Sequence, residues 1–138
     1  SSGKLCPTGW RPTTKTDWEE LITQAEAADN QNAGNVLKSC RQVNSPTGGN
    51  CAVTVHPRWE AHEIFYGTDN LGFAALPGGI RYSNRTFLGL GSMGYFWSAT
   101  SLSDNNAWYT ALNYNSNAIT LSIEDKRMAF SVRCVQEW

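Results

Sequence analysis

The period of hydrophobic and polar positions changes about halfway along the chain. In the first half, Trp18, Leu21, Ile22 and Ala25 recur at helical spacing. They follow Thr16-Asp17-Trp18-Glu19, which reads as a capping box: a Thr oxygen takes the N3 amide and a Glu reaches back. A helix is therefore expected to end near Ala28, where Asp29, Asn30, Gln31 and Asn32 break the pattern. A second, shorter helix is expected over 35–39. Residues 40–70 keep no period and hold Trp59, Phe65, Tyr66 and both histidines. Unpatterned stretches this long are usually functional or held by a small core of their own. The second half runs in short strand-like segments, 95–100, 107–114, 118–123 and 129–135. Turn chemistry at 103–106, 115–117 and 124–126 separates them. Ser83-Asn84 forms a hairpin tip between Ile80-Arg81-Tyr82 and Thr86-Phe87. Helices first and then an antiparallel strand meander predict an α+β fold.

Length changes this picture little: 138 residues make one ordinary domain, 1–138. Charge changes it more. A formal net charge of −1 gives no basic footprint, so no nucleic acid is expected as a partner. No apolar run is long enough for a transmembrane helix, so no membrane insertion is expected. The chain starts at Ser1 without a signal peptide and reads as a segment of a larger surface protein or pilus. The cysteines are Cys6, Cys40, Cys51 and Cys134, with no CxxC pair among them. An even count at wide spacing predicts two disulfides and an oxidising, extracellular or cell-surface setting. Three pairings are possible. The favoured one joins Cys40 to Cys51 across a loop with Pro46, Gly48 and Gly49, and Cys6 to Cys134 across the two ends. The second closure stabilises by about 4–5 kcal/mol in the chain-entropy model.

Catalytic chemistry finds little support. No GxSxG elbow, P-loop or dinucleotide fingerprint is present. His56 and His62 flank Trp59 and Glu60, with Glu63 following, but the spacing is not HExxH and they read as solvated loop histidines. The adjacent carboxylates Glu19-Glu20 and Glu124-Asp125 read as solvated faces. No enzymatic activity and no cofactor are expected. A structural calcium ion is left open at Asp104, Asn105 and Asn106, a cluster that offers one carboxylate where calcium takes six to eight oxygens.

The candidate surface lies at 101–123. Five of the twelve asparagines fall between 104 and 117. With Trp108 and Leu112 turned to the core, Tyr109, Ala111 and Asn113 point outward. In the next segment Ile119, Leu121 and Ile123 share one face, and Thr120 and Ser122 the other. The expected ligand-binding set is Asp104, Asn105, Asn106, Tyr109, Ala111, Asn113, Asn115, Thr120 and Ser122. Tyr provides contact area at low entropic cost, and Asn, Ser and Thr provide adaptable hydrogen bonds. The same chemistry suits sugar hydroxyls and sugar C–H faces. Against this stands the ordinary use of Asn in turns.

The strings CPTGW, RPTTKTDWEELI, AGNVLKS (33–39), GFAALPGG (72–79), GYFWSAT (94–100), NNAWYTAL (105–112) and FSVRCV (130–135) resemble the Fibrobacter succinogenes major paralogous domain family. The resemblance runs over 6–135, with 40–63 as a disulfide-stapled insertion loop. It implies a C-type-lectin-like fold, similar to the formylglycine-generating enzyme group, with the termini together. That supports the end-tying disulfide. It also implies a secreted, surface-anchored or lipoprotein chain of a bacterium. The Glu-Pro-Asn or Gln-Pro-Asp loop and the Trp-Asn-Asp of calcium-dependent sugar-binding lectins are missing. The order of WSAT, NNAW and FSVRCV is similar to retroelement-diversified variable proteins, in which 102–122 would hold the variable outward positions. The expected function is an adhesin-type binding domain for a glycan or protein receptor. The alternative is a structural surface module without a specific ligand.

Overall fold

The computed structural model describes residues 5–137. Strand β1 (Trp10–Pro12) precedes helix α1 (Lys15–Ala28) and the one-turn helix α2 (Ala33–Leu37). After a long irregular stretch come β2 (Ile80–Arg81), β3 (Phe87–Leu88), β4 (Met93–Ser101), β5 (Asn106–Asn113), β6 (Thr120–Asp125), β7 (Ser131–Val132) and β8 (Cys134–Gln136). The α+β order expected from the sequence is present.

Helix α1 starts two residues earlier than its sequence suggests. Thr14, not Thr16, is the cap: its hydroxyl accepts from the Asp17 amide at 3.2 Å, and the Asp17 carboxylate accepts from the Thr14 amide at 2.7 Å. Arg11 decides between the two registers. Its guanidinium donates to Asp17 at 2.5 and 3.1 Å and fixes that carboxylate over the first turn. Helix α2 is likewise two residues earlier than expected. It packs so closely on the 115–117 turn that a Cβ on Gly34 would lie 2.7 Å from the Asn117 carbonyl oxygen.

The central sheet has the order β6-β5-β4-β7. Its β4–β5 and β5–β6 pairs are antiparallel, as a meander requires. The β4–β7 pair is parallel, which the meander expectation lacks. The segment expected as one strand at 129–135 is two. At Arg133 the chain leaves β4, and β8 pairs with β1, holding the two ends of the chain together. The Arg133 carbonyl accepts from Thr13, while its guanidinium sits 4.3 Å from the Phe73 ring and donates to the Phe73 carbonyl. Residues β2 and β3 form the expected hairpin.

The core lies between the helices and one face of the sheet. It joins Trp18, Ala25, Ala33, Val36, Leu37, Trp59, Ala75, Phe96 and Leu112. The Trp18 ring meets Phe73 and Phe96 at 5.6 and 5.7 Å between centroids. Trp59 comes from the unpatterned stretch yet is fully buried, its indole donating to the Ala75 carbonyl at 3.0 Å. That stretch carries its own ladder: Gln42 accepts from Val53 and donates to Cys51, and Trp59 donates to Arg41. The Cys40–Cys51 and Cys6–Cys134 disulfides are both formed. Two disulfides are the pattern of an oxidising, non-cytosolic environment. Among the described residues no helix is long and apolar enough to cross a membrane.

Candidate functional site

Directly paired residues on antiparallel strands share a face of the sheet. The register pairs Tyr95 with Ala111 and Trp97 with Tyr109, and on the other side Ala111 with Thr120 and Tyr109 with Ser122. Met93 pairs with Asn113, and Ala107 with Glu124. These residues all lie on the face away from Trp18. Phe96, Thr110, Leu112 and Leu121 take the core face. The alternation expected for 107–114 and 118–123 is therefore the alternation found.

Large rings dominate this second face. Tyr95 and Tyr109 stack with centroids 5.2 Å apart and planes 10° from parallel. Trp97 and Phe130 stack at 4.3 Å. Phe130 also meets Tyr95 at 5.1 Å and Tyr109 at 5.3 Å, which joins the two pairs into one half-buried cluster. The Trp97 indole is held by the Met128 carbonyl at 3.3 Å. Burial, with Tyr82 and Glu124 nearby, pushes the Tyr95 hydroxyl up from its usual pKa; burial, with Tyr95 and Glu124, does the same for Tyr109. Both hydroxyls therefore keep their protons, and their donor capacity, at neutral pH. Asn113, Thr120 and Ser122 lie on the same face as these rings, with partly or fully exposed side chains.

The expected residues do not form one patch. Ala111 is buried, with 1% of its surface exposed, and cannot touch a ligand. It lies on the ring-bearing face, paired with Tyr95 across the strands and two residues from Tyr109. Asp104, Asn105 and Asn106 sit at one end of β5, and Asn113 and Asn115 at the other. The eight residues of β5 separate these ends by about 24 Å. The near end is organised as a turn. Ser103 Oγ accepts from the Asn105 and Asn106 amides, and the Asn105 carbonyl accepts from Lys126. Of the predicted set, Tyr109, Asn113, Thr120 and Ser122 share one face of the sheet. Tyr95, Trp97 and Phe130 join them there, unpredicted, because their strings read as scaffold. The alternation of Tyr95 and Trp97 with the core residue Phe96 is the signal that marks them.

Asp104, Asn105 and Asn106 supply one carboxylate at their end of β5. The second carboxylate there is Asp125, paired with Asn106 across the strands. It is engaged by Arg127 at 2.7 Å, which holds it at a pKa of about 2. Among the described residues no three His, Cys, Asp or Glu side chains are grouped to hold a metal ion. His62 closes a turn, its Nδ1 accepting from the Ile64 and Phe65 amides at 3.1 and 3.0 Å, with the ring stacked on Phe65.

A family model described as the Fibrobacter succinogenes major domain matches residues 1–136. No curated protein and no solved structure matches the chain.

Proposed function

We propose, from the premise that the chain belongs to the Fibrobacter succinogenes major domain family, that it is an extracellular, adhesin-type binding module of a bacterial surface protein. In this reading the ligand is a glycan, and it is bound without catalysis on the outer face of β4, β5 and β6. The observation that carries this is the joined ring cluster of Tyr95, Trp97, Tyr109 and Phe130, set on the same face as Asn113, Thr120 and Ser122. A pyranose presents apolar C–H faces and a rim of hydroxyls. Rings supply the platform for the first, and amides and hydroxyls accept and donate to the second. Half-buried rings that pack on one another are already ordered, so little side-chain freedom is lost on binding. The disulfides support a place outside the cytosol.

The test is a glycan array probed with the purified domain, with and without EDTA, beside Tyr109→Ala, Asn113→Ala and Ser122→Ala variants checked by thermal melts. The expected result is binding that survives EDTA and falls by about tenfold or more in Tyr109→Ala, as removal of a stacked ring costs ~1–3 kcal/mol. An array with no signal favours the structural-module alternative.

A further inference from the structure

The β2–β3 hairpin exposes apolar side chains that the ring-bearing face of the sheet does not use. Phe87 is 79% exposed, Leu90 60% and Leu88 52%. With Gly78, Ile80 and Gly89 these three line a shallow concavity of about 380 Å³. Monomeric proteins rarely leave adjoining large apolar groups in water without a partner. Ile80 pairs with Leu88 and Arg81 with Phe87, so a guanidinium-bearing residue shares the Phe87 side of the hairpin.

The charge around this patch says what partner fits it. From residue 70 to residue 103 the only charged side chains are Arg81 and Arg85, and both belong to the hairpin. The 54–60 loop lies against the same end of the molecule. A Cβ placed on Gly91 would lie 2.9 Å from Glu60 Oε1, 3.0 Å from Arg58 Nη1 and 3.1 Å from His56 Cε1. On this loop the carboxylate is Glu60, already engaged by Arg58 at 2.7 Å; on the other flank Arg81 pairs with Ala129, next to a turn whose Asp125 is engaged by Arg127. Arg41 donates to the Pro57 carbonyl at 2.7 Å, and Val55 beside it is 68% exposed. In a chain of net charge −1, the hairpin, the 54–60 loop and Arg41 thus carry four guanidiniums and one carboxylate beside Phe87, Leu88 and Leu90. Guanidiniums pair bidentately with phosphate, and Phe and Leu settle at the boundary of headgroups and acyl chains.

We propose that the β2–β3 hairpin and the 54–60 loop form a peripheral docking surface for an anionic lipid membrane. The contact is interfacial: apolar side chains reach the acyl boundary while Arg41, Arg58, Arg81 and Arg85 meet lipid phosphates. A proteinaceous occupant would be expected to bring carboxylates to the same cations, and a second copy of this chain would have to cover the same patch.

The test is co-sedimentation of the intact domain with vesicles of phosphatidylcholine alone and of phosphatidylcholine mixed with phosphatidylglycerol. Binding is expected only to the anionic vesicles, with loss at high salt as the charges are screened. Phe87→Ser with Leu90→Ser, and separately Arg81→Gln with Arg85→Gln, should each weaken it by about tenfold. All four side chains lie on an exposed or half-exposed hairpin, and unchanged melting temperatures would show the variants folded. Equal binding to both vesicles, binding to neither, or retention by the Phe87/Leu90 variant would overturn the proposal. So would a dimer in light scattering that disappears in that variant, since a second copy would then own the patch.

Discussion

Lys38 sits at the end of α2, where three segments of the chain meet. Its side chain is fully buried, and its Nζ donates to the Phe65 carbonyl at 2.8 Å and to the Ser116 carbonyl at 2.7 Å, 5.6 Å from the Trp59 ring. One ammonium thus joins the end of α2, the unpatterned stretch and the turn between β5 and β6. Lysine is almost never fully buried unless paired, so the string AGNVLKS gives no hint of this. Burial pushes the ammonium down to a pKa of about 7, against 10.5 for the exposed group. Between those values the unfolded chain holds a proton that the folded chain has released, so stability rises with pH across that window. The cost of burying the charge is fully present below pH 7. Thermal melts should therefore show a melting temperature that climbs from pH 7 towards pH 10, and Lys38→Met should flatten that climb. The same variant leaves two half-buried carbonyls without this donor and should lose about 1–3 kcal/mol at neutral pH. A slope unchanged in Lys38→Met would assign the pH dependence to other groups. Asp17 gives a slope of the same sign in a lower window, where an ion pair is gained rather than a burial cost relieved. Held at about 2 by Arg11, its contribution is present above pH 4 and lost as pH falls through 2.

At the scale of elements, strand alternation was the most legible feature. Two-residue periodicity placed Tyr109, Asn113, Thr120 and Ser122 on one face and Leu112 and Leu121 on the other, as found. What periodicity does not carry is depth. Ala111 faces outward by pattern but is buried, paired with Tyr95, and only the neighbouring strand's register reveals this. The helix cap was displaced because Thr14 and Thr16 are both good caps, and Arg11, outside the local pattern, selects Asp17 as the N3 partner. Trp59 was hidden for a similar reason: its ladder partners are Arg41 and Val43, well back in sequence, so no period announces it. Two substitutions on this face should therefore behave differently. Ala111→Leu overpacks a filled site and should lower stability by about 1–3 kcal/mol. Ser122→Ala, at a half-exposed position, should stay within about 0.5 kcal/mol in denaturant melts. Equal tolerance at both positions would contradict the burial of Ala111.

The whole molecule is tied at its ends. The β1–β8 pair and the Cys6–Cys134 disulfide, with a sequence separation of 128, hold the first and last elements together. Closing a loop of that length constrains the unfolded chain by roughly 4–5 kcal/mol in the chain-entropy model. Cys6→Ser with Cys134→Ser should accordingly lower the melting temperature by several degrees or more. The Cys40–Cys51 closure spans 11 residues, and its removal should cost less and act on the local ladder around Gln42. Equal losses from the two pairs would show that loop length is not what sets their contributions. Cysteine count and spacing pointed to both pairings. The aromatic cluster was not legible at this scale, because Phe130 reaches Tyr95 and Trp97 only once the chain returns parallel to β4.

A glycan bound on the ring-bearing face of β4, β5 and β6, as proposed, must touch the rings themselves. The most direct measurement is a titration of isotope-labelled domain with the strongest array ligand, followed by nuclear magnetic resonance shifts residue by residue. The largest shifts are expected on the Trp97 indole, Tyr95, Tyr109, Asn113 and Ser122, with Ala111 responding only through its backbone. Shifts confined to the 102–106 turn, or to the hairpin around Phe87, would contradict that placement.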